Sequence, residues 1–317
     1  MNLLVTGAAG FIGSHFVLRH VAAFPRDTVV VLDKLTYAAD IHFLDAVRGS
    51  MTFVQGDIAD TELLKKLVKE HSIDTIVDFA AETHVDRSIE DPFPFLHTNV
   101  LGTASLIEVC KSNPTVRFLH ISTDEVFGDL TDDDLPKRAD DPLRPSSPYA
   151  ASKASGDLLI QAAARTYGIK AAISRCTNNF GPHQAGEKFI PTVIRCALQD
   201  RPIPIYAAGK NKRDWLYVTD HTDAIETILK VPTAFDACGL FNISADSEKT
   251  NIDVATTILK ILQKPEGLLT FVKDRPGHDW RYALDSSGTK KLGWKPKVSF
   301  EKGIEETVLW YKRRLVG

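Results

Sequence analysis

The sequence has few cysteines, no long apolar run and no excess of basic residues. The 4 cysteines form no Cys-x-x-Cys motif, so we expect buried free thiols in a reducing compartment and a cytoplasmic protein. No stretch approaches the ~18 uninterrupted apolar residues of a membrane span, and no basic segment precedes the first predicted strand as in a signal peptide. Lysine and arginine number 38 against 41 aspartate and glutamate residues, a net charge of −3 that excludes a general nucleic-acid binder.

The 317 residues have the composition of an ordinary globular protein, 44% hydrophobic and 25% charged, and their number predicts two domains. Short apolar segments alternate with helical patterns, which predicts a doubly wound parallel sheet. The predicted strands are Leu3–Thr6, Thr28–Leu32, Thr52–Gln55, Thr75–Phe79, Arg117–Ile121 and Ala171–Ser174. The predicted helices between them are Gly13–Ala23, Glu62–Glu70, Thr98–Lys111 and Tyr149–Thr166.

This alternation breaks down after residue 176, where prolines become frequent. Helical patterns return at Ile190–Gln199, Asp220–Leu229, Asn251–Leu262 and Phe300–Arg313. We therefore interpret residues 1–176 as a Rossmann-type α/β domain and residues 177–317 as mainly a smaller α+β substrate-binding lobe. Part of 215–245 is expected to return to the first domain.

A glycine-rich turn joins the first predicted strand to the first predicted helix. Gly7, Gly10 and Gly13 allow a tight turn and a close approach of the backbone to a pyrophosphate, which the free N–H groups of the helix would bind. Asp33 ends the second strand, where its carboxylate would accept hydrogen bonds from a ribose and repel a 2′-phosphate. The pattern predicts NAD rather than NADP, although the adjacent Lys34 weakens that preference. The alternative is a tight turn without a ligand.

Two further residues are candidates for the adenine end of this site. Asp57 and Ile58 follow the third predicted strand, which places them at the same edge of the sheet. The alternative interpretation of Asp57 is a turn or helix cap.

Tyr149 and Lys153 lie four residues apart at the start of a predicted helix, so both lie on one face. The tyrosine could act as a base if a nearby ammonium, or a positively charged nicotinamide, lowers its pKa from the ordinary value of about 10. A Tyr-x-x-x-Lys spacing alone is common on surface helices. Its combination with the glycine turn favours catalysis.

A run of hydroxyl and carboxyl side chains follows the fifth predicted strand. Ser122, Thr123, Asp124 and Glu125 stand at the carboxyl edge of the sheet, where open α/β folds bind ligands. Two neighbouring carboxyls repel each other, so one can stay protonated as an acid while the other acts as a base. The alternative is a helix or turn cap.

Taken together, these segments resemble the nucleotide-sugar 4,6-dehydratases of the dTDP-glucose type, within the extended short-chain dehydrogenase/reductase family. The resemblance runs nearly end to end, and the Thr-Asp-Glu triplet is its most specific part. Further matching segments are 33–37, 80–86, 178–182, 187–191, 213–217 and 274–279. Phe127 and Phe180 depart from it, since the family commonly has tyrosine at both positions.

The resemblance implies a redox-neutral reaction. Tyr149 would take the C4 hydroxyl proton while C4 gives hydride to NAD, and a carboxylate such as Glu125 would then remove the C5 hydrogen. Asp124 would protonate the departing C6 hydroxyl, the same NADH would return its hydride to C6, and C5 would be reprotonated. Thr123 would hydrogen-bond near the C4 oxygen. The product would be a 4-keto-6-deoxy sugar nucleotide.

The predicted site residues fall into three groups, with no metal ligands. The catalytic residues are Thr123, Asp124, Glu125, Tyr149 and Lys153. The NAD-binding residues are Gly7, Gly10, Phe11, Ile12, Gly13, Asp33, Lys34, Leu35, Thr36, Asp57, Ile58, Ala80, Ala81, Thr98, Tyr149, Lys153 and Asn179. The substrate-binding residues are Glu82, Thr83, Thr123, Asn178, Glu187, Lys188, Arg213, Asn251, Arg275 and His278.

Several interpretations stay open on the sequence alone. The family implies a homodimer formed through the helices at 98–111 and 149–166. The donor could be a UDP-glucose or a UDP-N-acetylglucosamine rather than dTDP-glucose. An epimerase or decarboxylase acting on a UDP-sugar would share the fold and cofactor, but Asp124 and Glu125 argue against it. A non-catalytic NAD-sensing protein would commonly lack the tyrosine and lysine.

Overall fold

A computed structural model describes residues 1–274 and 277–316 of the chain. The strands are β1 (Asn2–Thr6), β2 (Thr28–Asp33), β3 (Thr52–Gln55), β4 (Thr75–Asp78), β5 (Arg117–Thr123), β6 (Lys170–Cys176), β7 (Asn178–Phe180), β8 (Ile203–Tyr206), β9 (Lys212–Tyr217), β10 (Gly239–Ile243), β11 (Glu248–Thr250) and β12 (Leu269–Val272). The helices are α1 (Phe11–Ala23), α2 (Thr61–Glu70), α3 (Val85–Glu90), α4 (Phe93–Phe95), α5 (Thr103–Ser112), α6 (Pro148–Tyr167), α7 (Phe189–Leu198), α8 (Val218–Leu229), α9 (Asn251–Leu262), α10 (Ser287–Lys291) and α11 (Phe300–Val316). Within these residues, no helix combines the length and apolar character needed to cross a membrane.

The centre of the fold is a seven-stranded sheet in the order β10-β6-β5-β4-β1-β2-β3. Every neighbouring pair in it is parallel. Two successive residues of β1 show why the strands of this sheet are almost wholly apolar. Leu4 packs into the core on one face of the sheet and Val5 into the core on the other. Helices α1 and α8 cover one face, and α2, α5 and α6 cover the other. This confirms the predicted doubly wound α/β fold.

The remaining strands form a smaller lobe beside the sheet. β11, β9 and β7 make a three-stranded sheet, and β12 pairs with β8. Helices α7, α9 and α11 pack around a third core that includes Ile194, Ile258 and Ile304. Within segment 215–245, α8 packs against α1 and β10 pairs with β6, so this part of the chain returns to the large sheet.

Two strands run two residues further at their carboxyl ends than predicted, and one predicted helix has two forms. β5 continues through Thr123 and β6 through Cys176, which pair with each other, because backbone hydrogen bonds do not require apolar side chains. The helix predicted over 98–111 consists of a π-helical segment, Leu96–Gly102, followed by α5. π-Helical turns are frequent at functional sites, and this one carries Asn99 to the backbone of Glu82, with both hydrogen bonds at 3.0 Å.

Candidate active site

A cavity of about 300 Å³ lies at the carboxyl edge of the sheet, facing the smaller lobe. The strand order reverses between β1 and β4 at this edge, which is where doubly wound folds bind ligands. All predicted catalytic residues line the cavity, as do all predicted NAD-binding residues except Leu35. The predicted substrate residues in its lining are Glu82, Thr83, Thr123, Asn178 and Lys188.

The glycine turn forms one wall of the cavity. Gly7 has φ +64°, and a Cβ built there would lie 2.5 Å from the backbone nitrogen of Ala80, so only glycine fits. A Cβ on Gly13 would lie 2.6 Å from the carbonyl oxygen of Gly7, which explains the close packing of α1 on the turn. Gly10 is the N-cap residue of α1, and no side chain accepts a hydrogen bond from the first N–H groups of this helix. The first turn also carries no acidic residue. The helix therefore presents N–H groups and its positive dipole end to an anion.

Asp33 is held in place by the backbone of the turn. Its carboxylate accepts hydrogen bonds from the N–H groups of Ala9, at 2.9 Å, and Leu35, at 2.8 Å. Burial raises the pKa of Asp33, while these two hydrogen bonds oppose the shift. Leu35, which the cavity does not reach, thus acts on the site through its backbone.

Lys34 is paired with Asp57 rather than directed at Asp33. Its Nζ lies 2.7 Å from Asp57 Oδ2, and His97 Nε2 lies 3.0 Å from the same oxygen. Burial raises the pKa of Asp57, but hydrogen bonds from the Ala59 backbone, Lys34 and His97 bring it below its ordinary value. The carboxylate of Asp57 thus compensates the charge of Lys34.

The chain turns into a short 3₁₀ segment, Asp124–Phe127, directly after β5. Thr123 caps this segment by accepting a hydrogen bond from the Glu125 N–H, at 3.3 Å, and its hydroxyl donates to Asp124 Oδ1, at 3.1 Å. The cap interpretation of Thr123 is therefore confirmed, yet the same side chain also lines the cavity.

Asp124 has the environment of a neutral acid. It is buried, and its Oδ2 has no hydrogen-bond partner among the described residues. Burial and the neighbouring charge of Glu125 raise the pKa of Asp124 well above its ordinary value. This shift favours the protonated carboxyl, the form that an acid for the departing hydroxyl requires.

Tyr149 lies in the first turn of α6, across the cavity from β5. Its N–H donates to Ser88 Oγ at 3.1 Å, and its hydroxyl interacts with the side chain of Thr123. Burial and the charge of Glu125 raise the pKa of Tyr149 well above 10. The lowered pKa expected from Lys153 is thus not seen in the protein alone, because desolvation and the charge of Glu125 raise it.

Lys153 is buried beneath the cavity one turn further along α6. Its Nζ donates to the carbonyl oxygen of Ile121 at 2.8 Å and lies 3.0 Å from His120 Nε2. Burial lowers the pKa of Lys153, whereas the charges of Asp78 and Asp157 oppose that shift.

The structure separates the predicted substrate residues into two groups. Lys188 reaches the cavity wall, where its Nζ donates to the carbonyl oxygen of Thr83 at 2.7 Å. Arg213 does not line the cavity, since its guanidinium donates to backbone carbonyls of 212, 279 and 280. Glu187 faces Arg87 at 3.3 Å.

Three more predicted substrate residues lie away from the cavity lining or outside the described chain. Asn251 begins α9, and His278 Nδ1 lies 2.6 Å from Asp274 Oδ1. Arg275 lies outside the described residues.

Comparisons with known proteins agree with this geometry. Residues 4–307 match the family described as GDP-mannose 4,6 dehydratase. The chain belongs to this family. Among its relatives, the dTDP-glucose 4,6-dehydratase of Mycobacterium tuberculosis is 46% identical, over 98% of this chain and 93% of the relative.

Two solved structures of similar enzymes superpose closely on the chain. The dTDP-glucose 4,6-dehydratase of Streptomyces venezuelae, solved with NAD bound, is 42% identical with a TM-score of 0.93, over 99% of this chain and 97% of the other. The UDP-glucuronic acid 4-epimerase of Bacillus cereus, in complex with NAD, has a TM-score of 0.92 but only 28% identity, over 99% of this chain and 100% of the other. Backbone shape alone therefore does not separate dehydratases from epimerases.

Sequence reasoning missed several residues of the cavity in this family member. The additional ones with a thiol, hydroxyl or amide group are Cys176, Thr177 and Gln184. Cys176 and Thr177 stand at or just beyond the carboxyl end of β6, so the same edge rule could have found them. Gln184 comes from a loop of the smaller lobe and donates to the carbonyl oxygen of Asn179 at 2.9 Å. No local pattern marks that contact.

Proposed function

We propose that this chain catalyses the NAD-dependent, redox-neutral dehydration of dTDP-glucose to its 4-keto-6-deoxy product, as a hydro-lyase. The observation that carries the proposal is the meeting of Asp124, Glu125 and Tyr149 in one cavity. Dehydration needs an acid for the departing hydroxyl and a base for the C5 hydrogen, and this pair of carboxyls can supply both. The names of the most similar relatives favour the same reaction.

The residues of the cavity fit NAD as the resident cofactor. The uncapped start of α1 suits a pyrophosphate, and Asp33 suits the ribose hydroxyls. Because Asp57 compensates Lys34, the uncompensated charge near the ribose is the carboxylate of Asp33, which disfavours a 2′-phosphate. Bound NAD would accept the C4 hydride and later return it to C6.

Each catalytic side chain has one proton to hold or move. Tyr149 accepts the C4 hydroxyl proton, and Lys153 stabilises the tyrosine in its ionised form. Glu125 removes the C5 proton, which the adjacent C4 ketone acidifies, and C5 is reprotonated when the hydride returns to C6. Asp124 is kept neutral by burial and by Glu125, so it can donate its proton to the C6 hydroxyl as water leaves. Thr123 orients both Asp124 and the sugar C4 oxygen.

The substrate diphosphate requires cations and hydrogen-bond donors. We place Lys188, Asn178 and Thr83 nearest the sugar, because all three line the cavity. Arg213 acts through its charge, which lowers the pKa of Asp124 against the raising effect of burial. Glu187, Asn251, Arg275 and His278 stay proposals for the nucleotide end.

The test is to incubate the purified protein separately with dTDP-glucose, UDP-glucose and UDP-N-acetylglucosamine. Loss of one water from dTDP-glucose, with a keto product, is the expected result. An unchanged product mass with an inverted C4 centre would show an epimerase instead. The Tyr149→Phe variant is the matched control, and cofactor released on denaturation should be mainly NAD; recovery of mainly NADP would contradict the assignment to Asp33.

We also propose a homodimer formed through the helices at 98–111 and 149–166. Large apolar side chains are exposed there: Leu101 at 56%, Leu158 at 56% and Leu159 at 38%. These helices pack against each other, and exposed apolar surface on neighbouring elements commonly marks a protein interface. Sedimentation should show a dimer that Leu158→Lys weakens, and a monomeric wild type would refute the proposal. The free thiols of the 4 cysteines favour a cytoplasmic location.

A further inference from the structure

A row of buried polar side chains runs from beneath the cavity into the sheet. Lys153 Nζ lies 3.0 Å from His120 Nε2, and His120 Nδ1 lies 2.7 Å from Asp78 Oδ2. The other carboxylate oxygen of Asp78 accepts a hydrogen bond from Thr6 Oγ1 at 2.5 Å. The side chains of His120 and Asp78 are 1% and 0% exposed. Solvent water therefore cannot reach these groups to compete for their hydrogen bonds.

The geometry fixes the protonation of the row. An ammonium group only donates hydrogen bonds, so Lys153 requires a bare nitrogen at His120 Nε2. The proton of a neutral imidazole must then be on Nδ1, where it is donated to the Asp78 carboxylate. Burial raises the pKa of Asp78, but the hydrogen bond and charge of its partners bring it below its ordinary value, which keeps it ionised.

The charges around the row balance when His120 is neutral. Asp157 Oδ1, on α6, lies 3.9 Å from His120 Nε2, and Asp157 Oδ2 accepts a hydrogen bond from Arg175 Nε at 2.8 Å. Two cations, Lys153 and Arg175, thus face two carboxylates. A second proton on His120 would add a positive charge next to an ammonium and remove the acceptor that Lys153 uses.

We propose that His120 and Asp78 are positioning residues for Lys153: the buried Asp78 carboxylate fixes the imidazole tautomer that holds the lysine charged and in place, one turn of α6 from Tyr149. This inference rests on the proposed function, in which Lys153 stabilises the ionised tyrosine. Ile121 and His120 together occupy two of the three N–H groups of Lys153, so at most one can face the cavity.

The proposal predicts an effect on the pH dependence of turnover. Burial lowers the pKa of Lys153, and the first opposing influence is the charge of Asp78. The other ionisable groups near Lys153 and Tyr149 fall into two sets. Asp157 and Arg175 lie on the sheet side, and Cys176, Asp124 and Glu125 lie around the cavity. Removing the Asp78 charge should favour neutral lysine, and the tyrosine would then ionise only at higher pH.

The experiment compares the pH profile of kcat for wild type, Asp78→Asn and His120→Gln, with Ser174→Ala as a buried control on β6. Both test variants keep a hydrogen-bonding group of similar size. The acidic limb of the profile should move up by about one pH unit or more, with turnover near neutral pH reduced about tenfold and restored at higher pH. KM should change little. The proposal would be overturned if the acidic limb of the kcat profile stayed in place in both test variants. It would also be overturned if that limb moved by the same amount in Ser174→Ala.

A second measurement needs neither variant nor substrate. Nuclear magnetic resonance of the purified wild-type protein, grown with isotope-labelled histidine, reports which imidazole nitrogen of His120 carries the proton. We expect Nδ1 across neutral pH, and a proton on Nε2 would refute the inference even if the variants fail to fold. If wild type converts no sugar nucleotide, the proposed function fails, but this tautomer still decides the role of Asp78 and His120.

Discussion

The Asp124→Asn variant separates acid catalysis from the other steps. The amide has the shape of the carboxyl, and its oxygen can still accept the 3.1 Å hydrogen bond from Thr123. It has no acidic proton to give to the C6 hydroxyl. Loss of a general acid costs about 10²–10⁴ in rate, which corresponds to roughly 3–5 kcal/mol in the barrier of the elimination step.

Single-turnover kinetics in deuterated water measure this effect. Elimination should slow by that factor, while the absorbance of reduced nicotinamide still appears and deuterium still exchanges into C5, because Tyr149 and Glu125 are intact. Near-normal water loss would show that another group is the acid. Loss of C5 exchange would show that Asp124 itself takes the carbon-bound proton, and the division of roles would fail.

The same substitution tests the raised pKa through stability. Because the folded-state pKa of Asp124 lies above its unfolded value, the folded carboxyl holds its proton more tightly. The contribution of Asp124 to the free energy of unfolding is complete below pH ~4 and is lost as pH rises through the folded-state pKa. The loss is about 1.4 kcal/mol for each unit by which the folded-state pKa exceeds the unfolded one. Asparagine does not titrate, so the Asp124→Asn variant does not lose this contribution. The melting temperature of the variant minus that of wild type should therefore rise from acidic to neutral pH. A difference that is constant with pH would refute a neutral Asp124.

Three further variants test other parts of the site. Glu125→Gln should leave reduced nicotinamide to accumulate and abolish C5 deuterium exchange; brisk exchange would mean that another group is the base. Tyr149→Phe should lower turnover by about 10²–10⁴ without a large change in melting temperature, and near-normal turnover would exclude Tyr149 as the base. Gly7→Ala should reduce NAD content and destabilise the fold by more than the roughly 1–3 kcal/mol of backbone strain, because its Cβ would collide with Ala80. Gly168→Ala is the matched control, since it has φ +67° but no atom within 4 Å of its Cβ; equal losses in both variants would remove the collision argument.

The sequence by itself determined the layers of the fold and predicted the residues that line the cavity beside the glycine turn. Strands buried on both faces have to be apolar throughout, so their alternation with helices was readable without any long-range contact. The turn from Gly7 to Gly13 was equally local, because a tight strand-to-helix turn and a close backbone approach both require glycine. Strand ends were less certain, since Thr123 and Cys176 continue a ladder of backbone bonds with polar or weakly apolar side chains.

Only the tertiary structure decided how the ionisable groups act on one another. Thr123 and Tyr149 meet across the cavity because β5 and α6 are neighbours in the fold, and burial beside Glu125 is what raises the pKa of Asp124. Arg213 was predicted at the substrate from its charge, yet backbone carbonyls hold its guanidinium. His120 and Asp78 lie 42 residues apart on paired strands, and no local pattern announces their contact with Lys153. Desolvation and long-range pairing set these properties, and neither depends on the order of nearby residues.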